Sequence, residues 1–413
     1  MDKLRIQNIK EKANRCLQCK TKPCMNGCPL ENNIPQFIAY VRNEEYKKAY
    51  EVLEQTTIMP FICGRICPKS KQCQGQCIRG IKGEPVSIGD IEALIGDIAI
   101  KNKWYIEKRN KNNGKTVAII GAGPAGINCS IELARQGYTI DLYEKQNKIG
   151  GILRYGIPDF RLNKSYIDIL QEKLLGLDVT IYNNKMLGRD FTIPDLIKKY
   201  NYVILDIGAN CSCKMNIKGE QLPNVLGANE LLEYQNHPDY INKKVIIIGG
   251  GNVAIDMARV AKQKGAKEVK VFYRRARKQM PAEDIEIEQA IQEGIEFLYQ
   301  VNVKEIYANK IICSRNLLLK KEGEQRETPI EIENSEFKIE ADYVIMAIGS
   351  KLNDNIIEQG IALNSNGYIK VDDNFMTNIK NVYAIGDCIG NKSTVAWAAR
   401  TGRDLAKKIS LLE

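Results

Sequence analysis

Two stretches of this chain repeat one pattern: an apolar β-rich run, a glycine turn, a helix, then a second β-rich run. The first is KTVAIIGAGPAGINCSIELARQG at 115–137, followed by TIDLYEK; the second is KKVIIIGGGNVAIDMARVAKQKG at 243–265, followed by EVKVFYRR. Each reads as a βαβ unit, and a chain that holds two of them is committed to parallel strands covered by helices. A last strand–turn–helix, NVYAIGDCIGNKSTVAWAARTGRDLAKKI at 381–409, closes the chain.

At 413 residues, 44% hydrophobic and 27% charged, the chain is globular and long enough for several cores. No run of 18 or more apolar residues predicts a membrane span. The opening MDKLRIQNIKEKANRC is charged throughout and lacks the apolar segment of a signal peptide, so a cytoplasmic location is expected.

In the first turn, Gly121, Gly123 and Gly126 form G-x-G-x-x-G around Pro124 and Ala125. The first glycine makes the tight turn, the second lets backbone approach a pyrophosphate, and the third lets the helix pack close to the strand. Glu144, followed by Lys145, ends the next strand, where an acid binds ribose hydroxyls. The closing motif Ala384-Ile385-Gly386-Asp387, with a helix expected from near Ser393 and Thr394, points to FAD rather than NAD. Asp387 can accept a hydrogen bond from the ribitol chain, and the helix N-terminus favours charge on a reduced flavin. The competing readings are a structural glycine turn and an Asp that caps a turn.

The second turn runs Gly249, Gly251, Asn252, Val253, Ala254, with Asp256 on its helix. Where NAD enzymes place a ribose acid, this chain has Arg274 and Arg275. Guanidinium groups there attract the 2′-phosphate of NADP, which favours NADPH. Two solvated arginines at a strand end are the alternative.

Eight of the 13 cysteines fall within the first 77 residues: Cys16, Cys19, Cys24, Cys28, Cys63, Cys67, Cys73 and Cys77. In a cytosolic chain such density means metal or redox chemistry. The strings C-x2-C-x4-C-x3-C-P and C-P-x4-C-x3-C resemble ferredoxin-type runs, in which the last cysteine of one string ligates the other cluster. Zinc, the rival reading of any CxxC, usually takes its cysteines in two pairs. The remaining five cysteines, with Cys211 and Cys213 among them, read as small structural residues.

Residues 1–115 hold 21 Lys/Arg against 12 Asp/Glu, so nine of the chain's ten excess positive charges lie there. They compensate cluster thiolates or form a docking face for an acidic partner. No basic stripe with interleaved aromatics supports nucleic-acid binding. This head reads as helical, with helical spacing from Gln36 to Gln55 and from Ser87 to Lys101, and the linker KRNKNNGK at 108–115 ends it. The expected division is a helical iron–sulfur domain at 1–112, an FAD domain at 113–241 and 346–413, and an NAD(P)H domain at 242–345. The fold class is α/β, with two Rossmann-like domains behind a helical head.

The motifs CLQCKTKPCMNGCP, ICGRICPKSKQCQGQC, GAGPAG, GGILRYGIPDFRL, GGGNVAID, YRRARKQMPA and AIGD with TVAWAARTGRDLA span nearly the whole chain. Together they resemble the glutamate synthase small (β) subunit family. Its relatives include the NADP-binding subunit of transhydrogenase-type ferredoxin:NADP oxidoreductases, sulfide dehydrogenases and the N-terminal half of dihydropyrimidine dehydrogenase. The resemblance implies two [4Fe-4S] clusters, one on Cys16, Cys19, Cys24 and Cys77, the other on Cys28, Cys67, Cys73 and Glu92. Cys63 takes no ligand role on that reading. Gly151, Arg154, Ile157 and Pro158 resemble the family's flavin-contacting loop, and Gly349 joins the cofactor set. The redox-active cysteine pair of disulfide reductases is missing. Asp206, in VILDIGA, departs from the small residue usual there.

The resemblance implies electrons passing from NADPH to FAD, through the clusters, to a redox partner. That partner is a glutamate synthase large subunit, which makes glutamate from glutamine and 2-oxoglutarate; a small flavoprotein or ferredoxin is the alternative, as in an electron-bifurcating oxidoreductase. Hydride transfer between stacked rings needs orientation more than an acid or base, so no catalytic side chain is expected, and the lone His237 has no role.

Overall fold

The runs Thr116–Ile120 and Lys244–Ile248 are β-branched and buried over four of their five residues, which suits strands covered on both faces. A computed structural model describes residues 3–320, 327–390 and 392–411. The chain groups into two compact units, the first made of residues 1–154, 159–208 and 354–413, the second of 155–158 and 209–353.

The first unit holds a parallel sheet in the order Val382–Ala384, Tyr202–Leu205, Thr116–Ile120, Thr139–Tyr143, Thr180–Tyr182. The order reverses between Thr116–Ile120 and Tyr202–Leu205. Ligands of such sheets bind in the crevice beyond the carboxyl ends at that reversal. The residues that follow those two strands are Gly121 and Asp206.

The helical head belongs to this unit. The helical run expected from Gln36 to Gln55 is two helices, Ile34–Arg42 and Tyr46–Glu54. Glu44 between them is left-handed (φ 61°), which ends the first helix and turns the chain. The helices Pro60–Ile66 and Ile88–Lys101 pack backbone to backbone. A Cβ on Gly64 would meet Ala93 N at 2.5 Å, and one on Gly96 would meet Phe61 N at 2.5 Å. This close approach sets Cys67, the residue after the first helix, beside Glu92 on the second.

The second unit holds a parallel sheet in the order Val225–Gly227, Tyr343–Met346, Lys244–Ile248, Glu268–Tyr273, Glu296–Tyr299. An antiparallel set, Val301–Ile306, Lys310–Leu319, Thr328–Glu331 and Phe337–Glu340, accompanies it. Among the described residues no helix is long and apolar enough to cross a membrane.

Candidate redox-cofactor sites

At the first turn, Gly121 has φ 106°, and a Cβ there would lie 2.0 Å from Asp206 O; only glycine fits. A Cβ on Gly126 would lie 2.1 Å from Gly121 O, so the helix Pro124–Arg135 starts flush against the turn. Glu144 is buried and accepts the N–H groups of Ala122 (3.0 Å) and Gln146 (2.8 Å). Lys145 beside it is half-buried. Gly151 folds back until a Cβ would sit 2.8 Å from Gly123 Cα, and Arg154 Nε donates to Ile149 O at 2.7 Å. Ile157, Pro158 and Gly349 group with the second unit.

The remote closing motif arrives at the same place. Gly386 stands against Ala125, and a Cβ on Gly402 would meet Ala125 O at 2.2 Å, so the helices Pro124–Arg135 and Val395–Ser410 cross there. That last helix starts two residues beyond Ser393, with Thr394 Oγ1 capping it by accepting Trp397 N–H (3.4 Å). Asp387 is the telling residue. Burial pushes its carboxyl up to about 6, and its Oδ1 is buried with no hydrogen-bond partner among the described residues. A buried, unsatisfied acceptor is costly unless a ligand donates to it. The ribitol hydroxyls of FAD are donors of that kind, and the glycine cradle has room for nothing bulkier than backbone along its wall. The residues present fit the group.

At the second turn, Gly249 has φ 149°, and a Cβ there would strike Ala347 O at 2.2 Å. Gly251 caps the helix Asn252–Gln263 and faces open space, where a phosphate can approach the helix N-terminus. Asn252 Oδ1 accepts Glu283 N–H (3.3 Å), Val253 is half-buried, and Ala254 and Asp256 are buried in the helix packing. Arg274 is exposed at the end of Glu268–Tyr273, and Arg275 Nε donates to Glu327 O (3.2 Å).

In the head, Cys16, Cys19, Cys24 and Cys77 line one pocket with Pro23, Ile34 and Ile88. Burial, then the neighbouring Cys16 and Cys77, pushes the Cys24 thiol up to about 11. Cys28, Cys67, Cys73 and Glu92 form a second neighbourhood. Burial and then Glu92 push Cys28 up to about 12, and Cys73 is raised by burial, Cys28 and Glu92. A hydrogen bond with Cys63 raises Cys67, so Cys63 stands in this second group as well. Glu92, expected to face partly inward, is fully enclosed at 6% exposure; burial raises it to about 8 against the pull of Lys69 and an Asn32 hydrogen bond (3.3 Å). Acids and thiols crowded this way are stable as anions only around a cationic centre. Among the described residues no three His, Cys, Asp or Glu side chains converge as one metal ion demands.

The profile of the pyridine nucleotide-disulphide oxidoreductase family matches residues 115–402, and that of dihydropyrimidine dehydrogenase domain II, 4Fe-4S cluster, matches residues 2–104. The glutamate synthase [NADPH] small chain of Azospirillum brasilense is 35% identical over 98% of this chain and 89% of its own length. The chain belongs to the glutamate synthase small-chain family. The Escherichia coli small chain is 32% identical over 97% of this chain and 90% of its own. The fold matches FprA of Mycobacterium tuberculosis, solved in complex with NADPH, at TM-score 0.64 and 19% identity, over 72% of this chain and 85% of that one. The chain is a flavin-dependent pyridine-nucleotide oxidoreductase with a 4Fe-4S domain.

Sequence reasoning missed three features of these sites. Gly250 is as constrained as Gly249, since a Cβ would enter the Tyr273 ring at 2.4 Å. Arg400 and Arg403 tie the closing helix to the segment after Cys28, donating to Pro29 O (3.0 Å) and Leu30 O (2.7 Å). Their spacing of three, one face of a helix, was the available signal. Asp206, noted only as a departure, stands against the first glycine turn, where its Oδ2 accepts Gly126 N–H at 2.7 Å.

Proposed function

We propose that this chain is the NADPH-oxidising small subunit of a glutamate synthase, delivering electrons to a larger chain that carries the amidotransferase chemistry. The observation that carries this reading is the 35% identity to the Azospirillum brasilense small chain across 98% of this sequence. FAD and two [4Fe-4S] clusters, when bound, supply the conversion of a hydride into single electrons and their carriage out. Cys16, Cys19, Cys24 and Cys77 would hold one cluster, and Cys28, Cys67, Cys73 and Glu92 the other. Gly121, Gly123, Gly126 and Glu144 would hold the adenosine half of FAD, and Asp387 and the capped helix after Thr394 its ribitol and ring. The residues at Gly249–Asp256 would seat NADPH.

Anaerobic affinity purification from the source cells tests the partner: recovery of a large amidotransferase chain is expected, and recovery of a small flavoprotein instead overturns the glutamate synthase reading. The second reading is an NADP-linked subunit of another electron-transfer assembly. It is favoured by 31% identity to the NADP(+)-dependent formate dehydrogenase subunit beta of Moorella thermoacetica, of whose length this chain spans 59%.

The nucleotide choice has its own test. Replacing both Arg274 and Arg275 by alanine is expected to raise the KM for NADPH about tenfold to a hundredfold, the worth of charged hydrogen bonds to a phosphate, and to leave the KM for NADH unchanged. Equal effects on both nucleotides would show that the arginines do not read the 2′-phosphate.

A further inference from the structure

The one carboxyl inside the flavin cradle that the reading above leaves without a task is Asp206. It follows the strand Tyr202–Leu205 at the reversal of the sheet, and it is 7% exposed. Its Oδ2 accepts Gly126 N–H at 2.7 Å. The same oxygen lies 3.0 Å from where a Cβ on Gly123 would be, and Oδ1 lies 2.4 Å from the corresponding point on Gly386. A single side chain therefore touches the second and third glycines of the phosphate turn and the glycine of the ribitol motif. It also occupies an amide at a helix N-terminus, a position that ordinarily serves an anion.

The groups that face it are acids. Asp387 comes from the closing turn and Glu144 from the end of Thr139–Tyr143. The thiols of Cys129, on the helix Pro124–Arg135, and of Cys388 lie within its field and are themselves raised by burial. Burial and then Asp387 and Glu144 already hold Asp206 well above the ordinary carboxylate range, against the Gly126 and Gly123 amides that favour its anion. A pyrophosphate in the cradle would bring further negative charge to the same low-dielectric space, where an additional anion is hardest to accommodate.

We propose that Asp206 is a positioning residue of the flavin site that enters the complex as a neutral carboxylic acid, so that FAD binding takes up one proton from solvent. The carbonyl oxygen of the acid keeps the Gly126 N–H, and its O–H becomes a donor on the side where Asp387 and Glu144 offer only carboxylate acceptors. Asparagine reproduces that neutral acceptor and donor; aspartate supplies it only when protonated. Proton uptake by linkage makes the affinity fall as pH rises, because the unliganded protein must first bind the proton that the complex keeps.

The test uses the full chain stripped of FAD and titrated with FAD from about pH 6 to about pH 9, with binding read from flavin fluorescence. For the wild type, Kd is expected to rise by up to about tenfold per pH unit across the part of this range between the two titrations. Asp206→Asn is expected to bind with a flat profile, and its unliganded form to unfold at the wild-type temperature. Mixing wild type with FAD in weak buffer with an indicator dye, at the pH where the Kd profile is steepest, needs no variant and should show uptake of close to one proton. A flat wild-type profile, no uptake, or an Asp206→Asn profile as steep as wild type overturns the proposal. The inference rests on FAD as the ligand of the first glycine turn. If the protein binds no FAD at any pH, that reading fails; tight binding without proton uptake defeats this inference alone.

Discussion

Replacing Cys24 or Cys73 by alanine is expected to remove about four iron atoms per chain in each case, the content of one cubane, and to leave the other cluster in place. The two residues stand in different neighbourhoods. Cys24 shares the pocket of Cys16, Cys19 and Cys77, while Cys73 is raised by burial, then by Cys28 and Glu92, with Cys24 a lesser neighbour. Electron delivery to the partner should fall by more than about a hundredfold in either variant, beyond the cost of losing a merely supporting group. Bleaching of the flavin by NADPH should survive, because neither cysteine belongs to the residues proposed to hold FAD or NADPH. Iron and acid-labile sulfide assays on anaerobically purified protein, with stopped-flow flavin absorbance, separate the outcomes. If both variants lose all iron, the chain holds one shared cluster. If Cys24→Ala keeps a full complement, Cys24 is no ligand.

The second large effect concerns how the head is held. Arg135, on the helix of the first glycine turn, pairs with Glu54, Glu107 (2.6 Å) and Glu132 (2.9 Å). Lys173, only 1% exposed, pairs with Glu54 and, at 3.0 Å, with Glu107. Glu54 ends a head helix and Glu107 lies near the end of the head, so this network joins the head to Arg135 and Lys173 of the rest of the first unit. Burial alone would raise Glu107, but the Arg135 hydrogen bonds and the Lys173 charge outweigh it and hold the carboxyl down at about 2.

Arg135→Met leaves three partly buried carboxylates with one lysine, and breaking such a site by removing one partner costs about 3–5 kcal/mol. The pH dependence should change sign. A depressed carboxylate stabilises the fold above the ordinary range and loses that contribution as pH falls toward 2, so the wild type weakens in acid. In Arg135→Met the same carboxylates are raised, and the loss should shrink as pH drops from about 7.5 to about 5. Urea midpoints at the two pH values measure this. A variant as stable as wild type, or one that weakens further in acid, contradicts the reading of the network.

Much of the site was legible because its requirements are local. Gly126 is forced by the nearby Gly121 O, and Gly121 and Gly249 by positive φ (106° and 149°), local demands of the turn that a short motif records, although the carbonyls their Cβ atoms would strike, Asp206 O and Ala347 O, come from distant segments. The same holds for Glu144, placed by the length of one βαβ unit, and for the last helix, expected near Ser393 and found from Val395, since a helix start depends on which side chain, here Thr394, reaches the first free N–H groups. The break between Ile34–Arg42 and Tyr46–Glu54 was hidden because the apolar spacing continues through a turn made by one left-handed residue.

The repeated strand–glycine–helix pattern thus determined by itself that this chain builds two dinucleotide cradles on parallel sheets, since strand burial and glycine turns are written in contiguous residues. Only the tertiary structure decided which thiols stand together across the helices that separate the two cysteine strings, that Glu92 is enclosed with them, and that Arg135 and Lys173 bind the head. It also turned Asp206 from an odd residue in a strand into a carboxyl beneath three glycines. Burial and electrostatic neighbours arise where distant segments meet, and a side chain's charge has no fixed meaning until the fold has chosen its surroundings.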